Sequence, residues 1–306
     1  MGQSFCFLLV KIFVHFRKYR HQYHQTPTAY GIYNDDGSIK SDFAHSLNLF
    51  KEAESENHHF AFLKSYLNDN SIILDYGCGN GGRTIFYEKY YSSNVIGIDI
   101  DETAINIATM MKETLYSGAK IKFLKSSGNI PLGNNSIDLI FMNDVMEHVD
   151  DPVKALKDCY DALKNGGFLC INFNSYWSPA GHHLNDWIPI PWAHLFFSEK
   201  TLIAVLKKLS MEEPYIQYQF PNINKSITSF NELGASTLNY ITLKIFLRYV
   251  NNSSFIIKRF ILNGYEGRFR NPIIRTIFGR LKYMPLMKEF IGGRIICILI
   301  KPYGKS

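Results

Sequence analysis

The sequence has few of the features that mark secreted, membrane-spanning or metal-cluster proteins. Its cysteines are scattered and form no Cys-x-x-Cys pair: Cys6, Cys78, Cys159, Cys170 and Cys297. This argues against a disulfide framework and a zinc site, and it fits a reducing cytosol. Low-complexity stretches and internal repeats are also absent. With 306 residues, 46% of them hydrophobic, the chain can build one large α/β domain or two modest domains.

One apolar run, from Phe5 to Phe16, stands near the N-terminus. It is interrupted by Lys11 and falls short of the ~20 residues that a membrane-spanning helix requires. It also lacks the preceding positive charge and the small-residue cleavage site of a secretory signal. We therefore expect an N-terminal helical extension, residues 1–57, whose amphipathic first helix packs on the protein. A peripheral membrane contact through residues 1–25 is the alternative.

Charge is distributed unevenly around the net value of +6. Residues 1–30 carry four basic and no acidic side chains, and residues 214–306 carry 14 basic and 3 acidic ones. The region between them is acidic. Basic ends favour an anionic partner such as a membrane surface, a phosphorylated acceptor or nucleic acid, although a solvated surface explains the scattered C-terminal charges equally well.

Strand-like and helix-like segments alternate through the middle of the chain. The predicted strands are residues 71–76, 94–100, 120–125, 136–143 and 168–174. Asp101 is placed to cap the helix that follows it, and Asp151-Pro152 opens another. Such alternation predicts βαβ units in a Rossmann-like, doubly wound, mostly parallel α/β sheet.

Later segments complete a predicted seven-stranded sheet. Residues 198–209 have the pattern of a capped helix, and residues 213–220 and 293–302 have the pattern of strands. The segments TLKIFLRYV and SSFIIKRFIL between those strands are interpreted as helical. After the extension we therefore expect a core at residues 58–220. A helical insertion at residues 221–289, between the last two strands, caps the acceptor. Residues 290–306 form the final core strand and its tail.

The strongest chemical signal is the glycine cluster that follows the first predicted strand and opens a helix. It reads Asp75-Tyr-Gly77-Cys78-Gly79-Asn-Gly81-Gly82. Glycines let the backbone approach a ligand closely, and the ligand then meets free N–H groups at a helix start. Asp99, at the end of the second strand, is placed to accept hydrogen bonds from both hydroxyls of a ribose.

A dinucleotide site is the competing interpretation, because Gly77, Gly79 and Gly82 satisfy G-x-G-x-x-G. Asp75 would repel a pyrophosphate, whereas it suits an ammonium group. The block Ile130-Pro131-Leu132 with Ser136-Ile-Asp138 has no counterpart in the dinucleotide fingerprint. An NAD-dependent dehydrogenase is therefore disfavoured.

Together the stretches ILDYGCGNGG, VIGIDID and NIPLGNNSIDLIFMNDVMEHVDDPVKALKDCYDALKNGG resemble the class I S-adenosylmethionine-dependent methyltransferases, in the subgroup that acts on small molecules. The resemblance covers residues 70 to 175 and implies S-adenosylmethionine as cofactor. The cofactor-binding positions it implies are Asp75, Gly77, Cys78, Gly79, Gly81, Asp99, Ile100, Ser127, Gly128, Asn129 and Asn143.

By this resemblance the glycine loop and Asp75 surround the methionine part, Asp99 holds the ribose and Ile100 packs against adenine. Asn143 helps to hold the methionine end. Many relatives carry an acidic residue near Ser126 that contacts the adenine amino group, and this sequence has none there. A serine or a backbone carbonyl would have to take that contact.

Two segments offer a general base for a hydroxyl acceptor: Asp144-x-x-Glu147-His148, with its side chains on one helical face, and the loop ending in His182-His183. We select His148 and His183 as the catalytic candidates. The first segment resembles the E-x-x-E-H metal motif of ubiquinone-biosynthesis O-methyltransferases and small-RNA 2′-O-methyltransferases. Asp144, Glu147 and His148, with one of the two loop histidines, are therefore also candidate ligands of a divalent metal.

The predicted activity is methyl transfer to a hydroxyl or amine of a small-molecule, saccharide or lipid-linked acceptor. Trp187 and Trp192 are candidates to line the acceptor pocket. The basic insertion favours an RNA methyltransferase as an alternative. Nucleic acid is nevertheless disfavoured, because no RNA-binding module is recognisable and the basic residues are interleaved with apolar ones. A non-catalytic S-adenosylmethionine-binding protein is the second alternative.

Overall fold

A seven-stranded sheet in the order β3-β2-β1-β4-β5-β7-β6 forms the centre of the computed structural model. The strands are β1 (Ile72–Tyr76), β2 (Asn94–Asp99), β3 (Ile121–Lys125), β4 (Ile137–Asn143), β5 (Leu163–Asn174), β6 (Ile256–Gly264) and β7 (Gly292–Ile300). The structure describes residues 3–17, 38–184, 187–212, 222–227, 229–233, 238–264, 272–281, 284 and 287–303.

Strands β1 to β5 run parallel to one another, while β7 runs antiparallel to both β5 and β6. From β1 to β3 each new strand is added on one side of β1, and β4 is then added on the other side of β1. The strand order therefore reverses between β1 and β4. In open α/β sheets, ligands bind outside the carboxyl ends of the strands at such a switch point. The predicted doubly wound, mostly parallel sheet is confirmed.

Helices cover both faces of the sheet. The helices are α1 (Gln3–Arg17), α2 (Ser38–Glu56), α3 (Gly82–Tyr91), α4 (Glu102–Leu115), α5 (Pro152–Ala162), α6 (Ala193–Phe196), α7 (Glu199–Ser210), α8 (Leu243–Asn251), α9 (Pro272–Leu281) and α10 (Lys288–Ile291). The predicted N-caps are confirmed at Asp101, Asp151 and Ser198, whose side chains accept backbone hydrogen bonds from the first turns of α4, α5 and α7.

One helix prediction was wrong. Residues 253–262, interpreted as helical, contribute to β6, which pairs with β7 over residues 256–264. A short apolar run does not distinguish a strand from a helix. Here the segment is a strand because it pairs with β7, which lies further along the chain. The insertion therefore contains helix α8 and a strand. The predicted strand at 213–220 lies outside the described residues.

Packing on the two faces is aromatic. On one face Phe141 of β4 stacks on Tyr87 of α3, with ring centroids 4.0 Å apart, and Phe60 contacts it edge-on. On the other face Phe173 of β5 meets Phe246 of α8 at 5.0 Å. Helix α8 belongs to the predicted acceptor cap, yet it packs on a face of the sheet.

Helix α1 packs on α7. Cys6 and Val10 are buried in a cluster that includes Leu202 and Leu206, and Lys208 lies over the ring of Phe7. The predicted packing of the first helix on the protein itself is confirmed for the described residues. Within the described part of the chain, every helix is too short or too polar to span a bilayer. A membrane contact through residues 1–25 stays a prediction.

Helix α2 packs on the start of α3. The Ser46 hydroxyl donates to the Asn80 carbonyl oxygen at 2.9 Å, and a Cβ built on Gly82 would lie 1.9 Å from the carbonyl oxygen of Ser46. That distance is far below van der Waals contact, so only glycine permits this close approach. The extension before the core is therefore fastened to the glycine loop.

We predict that Gly82→Ala lowers the free energy of unfolding by about 1–3 kcal/mol, because the added methyl group must displace α2. Urea unfolding followed by circular dichroism measures the change. Gly118→Ala is the matched control, since a Cβ at Gly118 meets no atom within 4 Å. Equal stability of the two variants would show that α2 does not pack on this loop in solution.

Candidate active site

The glycine loop is tied to the end of β2 and to the segment after β4. The backbone N–H groups of Gly77 and Cys78 both donate to the Ile98 carbonyl oxygen, at 2.8 and 2.9 Å. Gly77 has a φ of 75°, and a Cβ there would lie 2.3 Å from Val145 Cγ2. Cys78 is buried, which raises the pKa of its thiol. The first half of the loop is thus fixed by packing.

Gly79 differs from its neighbours because it faces open space. Its φ is 50°, no atom of the described residues lies within 4 Å of a Cβ built there, and its N–H donates to Asp99 Oδ2 at 2.8 Å. The other oxygen of Asp99 accepts from the Asp101 N–H at 2.9 Å. The Asp99 carboxylate is thereby oriented toward the loop, at the point where a ligand can approach the backbone.

Asp75 lies at the end of β1, beside Gly97 of β2, so Asp75 and Asp99 occupy the same edge of the sheet. Asp75 is buried and accepts a 2.6 Å hydrogen bond from the Thr84 hydroxyl of α3. Burial raises the pKa of Asp75 to about 6 despite this bond and the nearby charge of Arg83. Its carboxyl group therefore ionises close to neutral pH.

The predicted adenine side carries one exposed apolar side chain, Ile100, with 70% of its surface accessible. Beyond it, the Ser126 hydroxyl donates to the Asn129 carbonyl oxygen and accepts from the Gly128 N–H at 3.1 Å, which closes a turn. Ser126 is thus used within the turn, and Ser127 is the exposed serine there. Ile100 offers an exposed apolar surface that a planar ligand would cover.

Asn143 ends β4 and is buried. Its amide donates to the Tyr87 hydroxyl at 2.6 Å, so its side chain is held by a residue of α3. Asn143 lies two residues beyond Phe141, the residue of β4 that pairs with Asp75 of β1. The structure therefore brings Asp75, Asp99 and Asn143 to neighbouring strand ends around one glycine loop.

Residues 144–148 form a turn, so the prediction of one helical face was wrong. Asp144 has a φ of 55°, and the His148 N–H donates to the Val145 carbonyl oxygen at 2.8 Å. The positive φ of Asp144 interrupts a helical path at this residue. Only a few residues separate β4 from α5, so this segment forms a turn although the spacing of its side chains would also fit a helix.

Asp144 is bound by two arginines. Arg83 of α3 and Arg294 of β7 donate to its Oδ2 at 2.8 and 2.9 Å. Burial alone would raise the pKa of Asp144, but the two guanidinium groups hold it well below its ordinary value. Its carboxylate is neutralised by these ion pairs, which takes Asp144 out of the candidate metal set.

Further contacts extend this ion-pair network to α2 and β5. Glu52 of α2 lies 3.0 Å from Arg83, and Glu56 accepts from the Asn172 amide at 3.0 Å. Asn172 in turn accepts from Arg294 Nε. None of these residues could be predicted from the sequence, because no local pattern shows that positions so far apart in the chain meet.

Glu147, His148 and His183 lie together. One ligand atom from each is within 4.8 Å of the others, and Glu147 Oε1 is 3.6 Å from His183 Nε2. The rings of His148 and His183 meet edge-on, with centroids 4.9 Å apart. The structure thus brings both predicted catalytic histidines to one place, with Glu147 beside them.

Burial shapes the protonation of this group. It raises the pKa of Glu147 to about 8, with the charge of Asp144 adding to the effect. It lowers the pKa of His183 to about 4, with His148 adding to that shift. Near neutral pH His183 is therefore an unprotonated imidazole beside a protonated carboxyl group, an arrangement that can accept or pass on one proton.

A small cavity, of about 10 Å³, adjoins this group. Its described lining consists of Glu147, Asn174, Tyr176, Gly181, His183, Leu238, Tyr240 and Ile241. Residues 238–241 belong to the predicted insertion, so this short stretch of it reaches the carboxyl edge of the sheet.

The aromatic side chains of the cavity differ from those predicted. Tyr176 and Tyr240 line it, whereas Trp187 packs against the α1–α7 cluster and Trp192 stacks on Phe290 at 4.8 Å. The Trp192 indole N–H donates to the Phe290 carbonyl oxygen, a further sign that this ring is part of the packing. Residue type and loop position both favour the tryptophans as pocket residues, but contacts with distant segments place these two rings in the packing.

Residues 74–171 match the methyltransferase domain family. The chain is 34% identical over 109 residues to a ubiquinone biosynthesis O-methyltransferase of Nitrosospira multiformis, which covers 33% of the chain and 44% of that protein. It is 30% identical over 144 residues to a phosphoethanolamine N-methyltransferase of Plasmodium falciparum. These residues cover 45% of the chain and 52% of that protein.

A third relative is an uncharacterised methyltransferase of Schizosaccharomyces pombe, 30% identical over 116 residues that cover 36% of the chain and 42% of the relative. The chain thus spans about half of the length of the curated relatives it matches, and the matched part holds the glycine loop and the strand-end carboxylates. From its fold, its glycine loop and these matches, residues 74–171 of the chain form a class I S-adenosylmethionine-dependent methyltransferase domain.

Proposed function

We propose that the protein transfers a methyl group from S-adenosylmethionine to a hydroxyl group of a small acceptor bound beside Glu147 and His183. The observation that carries this proposal is the open space at Gly79, flanked by the carboxylates of Asp75 and Asp99 at adjoining strand ends. A side chain would fill this space in an ordinary loop, so the arrangement supports a ligand that lies directly on the backbone.

The surrounding residues fit the parts of this cofactor. Asp99 is oriented by two backbone N–H groups and has the position to accept hydrogen bonds from ribose hydroxyls. Exposed Ile100 suits the face of adenine, and the turn at 126–129 suits its edge. Asp75, at the methionine end, is suited to an ammonium group directly or through water.

When bound, S-adenosylmethionine supplies the methyl group: a bond from the acceptor oxygen to the methyl carbon forms as the carbon–sulfur bond breaks, leaving neutral S-adenosylhomocysteine. The residues of this chain have to align the acceptor and take its proton. Among the described residues, His183 Nε2 has no hydrogen-bond partner, and it lies beside Glu147, so the hydroxyl proton passes to this pair. His148, in edge contact with His183, orients its ring.

Two other functions remain as alternatives. An RNA methyltransferase requires a basic surface around the acceptor cavity, but the described lining of the cavity contains no lysine or arginine. A non-catalytic S-adenosylmethionine-binding protein requires only the loop and the strand-end carboxylates. The Glu147–His183 pair beside the cavity favours a catalyst, since a mere binding site has no need of it.

We predict that Gly79→Asn weakens S-adenosylmethionine binding by about 100-fold or more, because the new side chain occupies the ligand's place on the loop. Asparagine tolerates the positive φ of Gly79, so the fold is expected to persist. Isothermal titration calorimetry with S-adenosylmethionine, S-adenosylhomocysteine and NAD measures the effect. The native protein is expected to bind the first two in the micromolar range.

Gly118→Asn is the matched control, because Gly118 lies in an exposed turn before β3, at the opposite edge of the sheet. It is expected to bind like the native protein. Binding of NAD alone, or undiminished binding by Gly79→Asn, would contradict the proposed cofactor site.

We predict that affinity for S-adenosylmethionine rises with pH through the pKa of Asp75, about 6. A cationic ligand binds the ionised carboxylate, so the dissociation constant is expected to fall about five- to ten-fold between about pH 5 and about pH 7. Asp75→Asn keeps an acceptor for the Thr84 hydroxyl but cannot ionise, and its profile is expected to be flat. Asp69→Asn, at an exposed position, should retain the native profile; an unchanged slope in Asp75→Asn would refute the assignment.

A divalent metal is the second candidate role for the residues beside the cavity, because Glu147, His148 and His183 offer ligand atoms within 4.8 Å of one another. Two imidazoles and a carboxylate suit zinc or manganese. A metal there would polarise the acceptor hydroxyl, whereas the proposed proton transfer to Glu147 and His183 leaves the pair free of metal.

The general-base role predicts that calorimetric titration with Zn²⁺ or Mn²⁺ shows no saturable binding at this group and that a chelator leaves Tm unchanged. His183→Ala is the test variant, and His58→Ala, at an exposed histidine, is its matched control. Micromolar metal binding that His183→Ala abolishes and His58→Ala retains would establish the metal role in place of the base.

A further inference from the structure

The cavity beside Glu147 and His183 is too small for a whole acceptor molecule. Its volume of about 10 Å³ is the space of about one water molecule, so a single hydroxyl group fills it. Tyr240 lines this cavity and is also 37% exposed, so its ring connects the cavity wall with the molecular surface. The rest of the acceptor therefore has to lie outside the cavity, on the surface around that ring.

Exposed aromatic side chains occupy this surface. Trp177 is 45% exposed and Phe196 is 55% exposed, and with Tyr240 they come from the loop after β5, from helix α6 and from the predicted insertion. Large aromatic side chains that are exposed together mark surfaces that bind a ligand or a partner. We refer to Tyr176, Trp177, Phe196 and Tyr240 as the aromatic rim.

Contacts of Tyr176 join the aromatic rim to the cavity. The ring of Tyr176 lies 6.0 Å from that of Trp177 and 5.1 Å from that of Tyr240, edge-on in both cases. It also lies 4.9 Å from the ring of His194, two residues before Phe196 in α6. Tyr176 lines the cavity as well. The aromatic rim is therefore continuous with the place where the reacting hydroxyl binds.

Backbone hydrogen bonds fix the central ring of the aromatic rim. The Tyr176 N–H donates to the Ile241 carbonyl oxygen at 2.9 Å, and the Tyr176 carbonyl oxygen accepts from His194 Nε2 at 2.7 Å. These bonds join the loop after β5 to the insertion and to α6. Rings that are already held in place lose little conformational entropy when a ligand covers them.

The charge beside the aromatic rim narrows the ligand class. Glu199 Oε1 accepts from the Tyr240 hydroxyl at 3.3 Å, and Glu199 Oε2 accepts from the Phe230 N–H at 2.7 Å. A phosphate or carboxylate group on the acceptor would be repelled by this carboxylate. Both oxygens of Glu199 are engaged within the protein, which disfavours an ammonium group as their partner. Exposed ring surface gains most free energy by covering hydrocarbon.

We infer that the acceptor is an uncharged alcohol or phenol whose hydroxyl enters the small cavity and whose hydrocarbon part packs on Trp177, Phe196 and Tyr240. This inference rests on the proposed function and specifies its acceptor. The methyl group passes from the sulfur of S-adenosylmethionine to the acceptor oxygen, and the hydroxyl proton goes to the Glu147–His183 pair. The aromatic rim selects the acceptor by its hydrocarbon part.

The test is isothermal titration calorimetry of the full-length protein saturated with S-adenosylhomocysteine. The probes are phenol, 4-ethylphenol, 4-butylphenol and 4-hexylphenol, and affinity is expected to rise about two- to three-fold per added methylene group. Choline and 4-butylbenzoate are the charged probes, and each is expected to bind at least about ten-fold more weakly than 4-butylphenol.

Affinity that does not depend on chain length, or tighter binding of a charged probe, would overturn the inference. S-adenosylhomocysteine binding is measured in the same samples. Its absence would contradict the proposed cofactor site and not the choice of acceptor.

Trp177→Ser and Phe196→Ser test whether the aromatic rim is responsible for the effect of chain length. Each variant removes one exposed ring, so the gain in affinity per methylene group is expected to fall to about half or less. Tyr303→Ser is the matched control, because Tyr303 is 76% exposed and follows β7 at the opposite edge of the sheet. It is expected to retain the native series.

The same gain per methylene group in the native protein and in all three variants would overturn the role of the aromatic rim. Flotation with phosphatidylcholine vesicles tests a lipid surface as the occupant. The native protein is expected to remain unbound, and vesicle binding that Trp177→Ser abolishes would assign the aromatic rim to a lipid surface in place of the acceptor.

Discussion

The hydrogen bond from the Gly79 N–H to the Asp99 carboxylate holds the site together. It joins the loop after β1 to the end of β2, and it works only because Gly77, Gly79 and Gly81 adopt positive φ angles that other residues avoid. The bond leaves the loop backbone facing open space while fixing the carboxylate beside it. Everything at the cofactor end, from the buried Asp75 to the exposed Ile100, is positioned relative to this one contact between neighbouring strands.

The acceptor end depends on a different interaction, the pair of arginines on Asp144. One carboxylate binds Arg83 from the helix after the loop and Arg294 from the last strand, and Glu52 and Glu56 bring α2 into the same network. Two buried cations beside one anion would repel each other, and the α2 glutamates offset that repulsion. The consequence is structural: segments far apart in the chain fix the turn that carries Glu147 and His148 at the mouth of the cavity.

These two interactions explain what could be predicted from the sequence. The glycine loop, the caps at Asp101 and Asp151 and the parallel strands follow from local patterns, because a turn, a cap or a buried strand is decided by residues close in the chain. Residues 256–264 form a strand because they pair with β7, whereas their local composition favours a helix, so the prediction from local pattern was wrong. Arg294, Tyr176 and Tyr240 could not be found for the same reason, since only the fold brings them to the site.

The two ends of the site also differ in how completely their polar groups are bonded. At the cofactor end Asp75, Asp99 and Asn143 all have protein partners, and these residues lie within the stretch that matches the methyltransferase domain family. Among the described residues, buried polar atoms without a hydrogen-bond partner include Glu147 Oε2, Ser178 Oγ and His183 Nε2, and the last two lie beyond that stretch. A shared cofactor can be bound by a loop that is rigid before it arrives. Selectivity for one acceptor requires groups whose hydrogen bonds are completed only by that acceptor, and their cost in stability is the physical reason to expect them at the acceptor end alone.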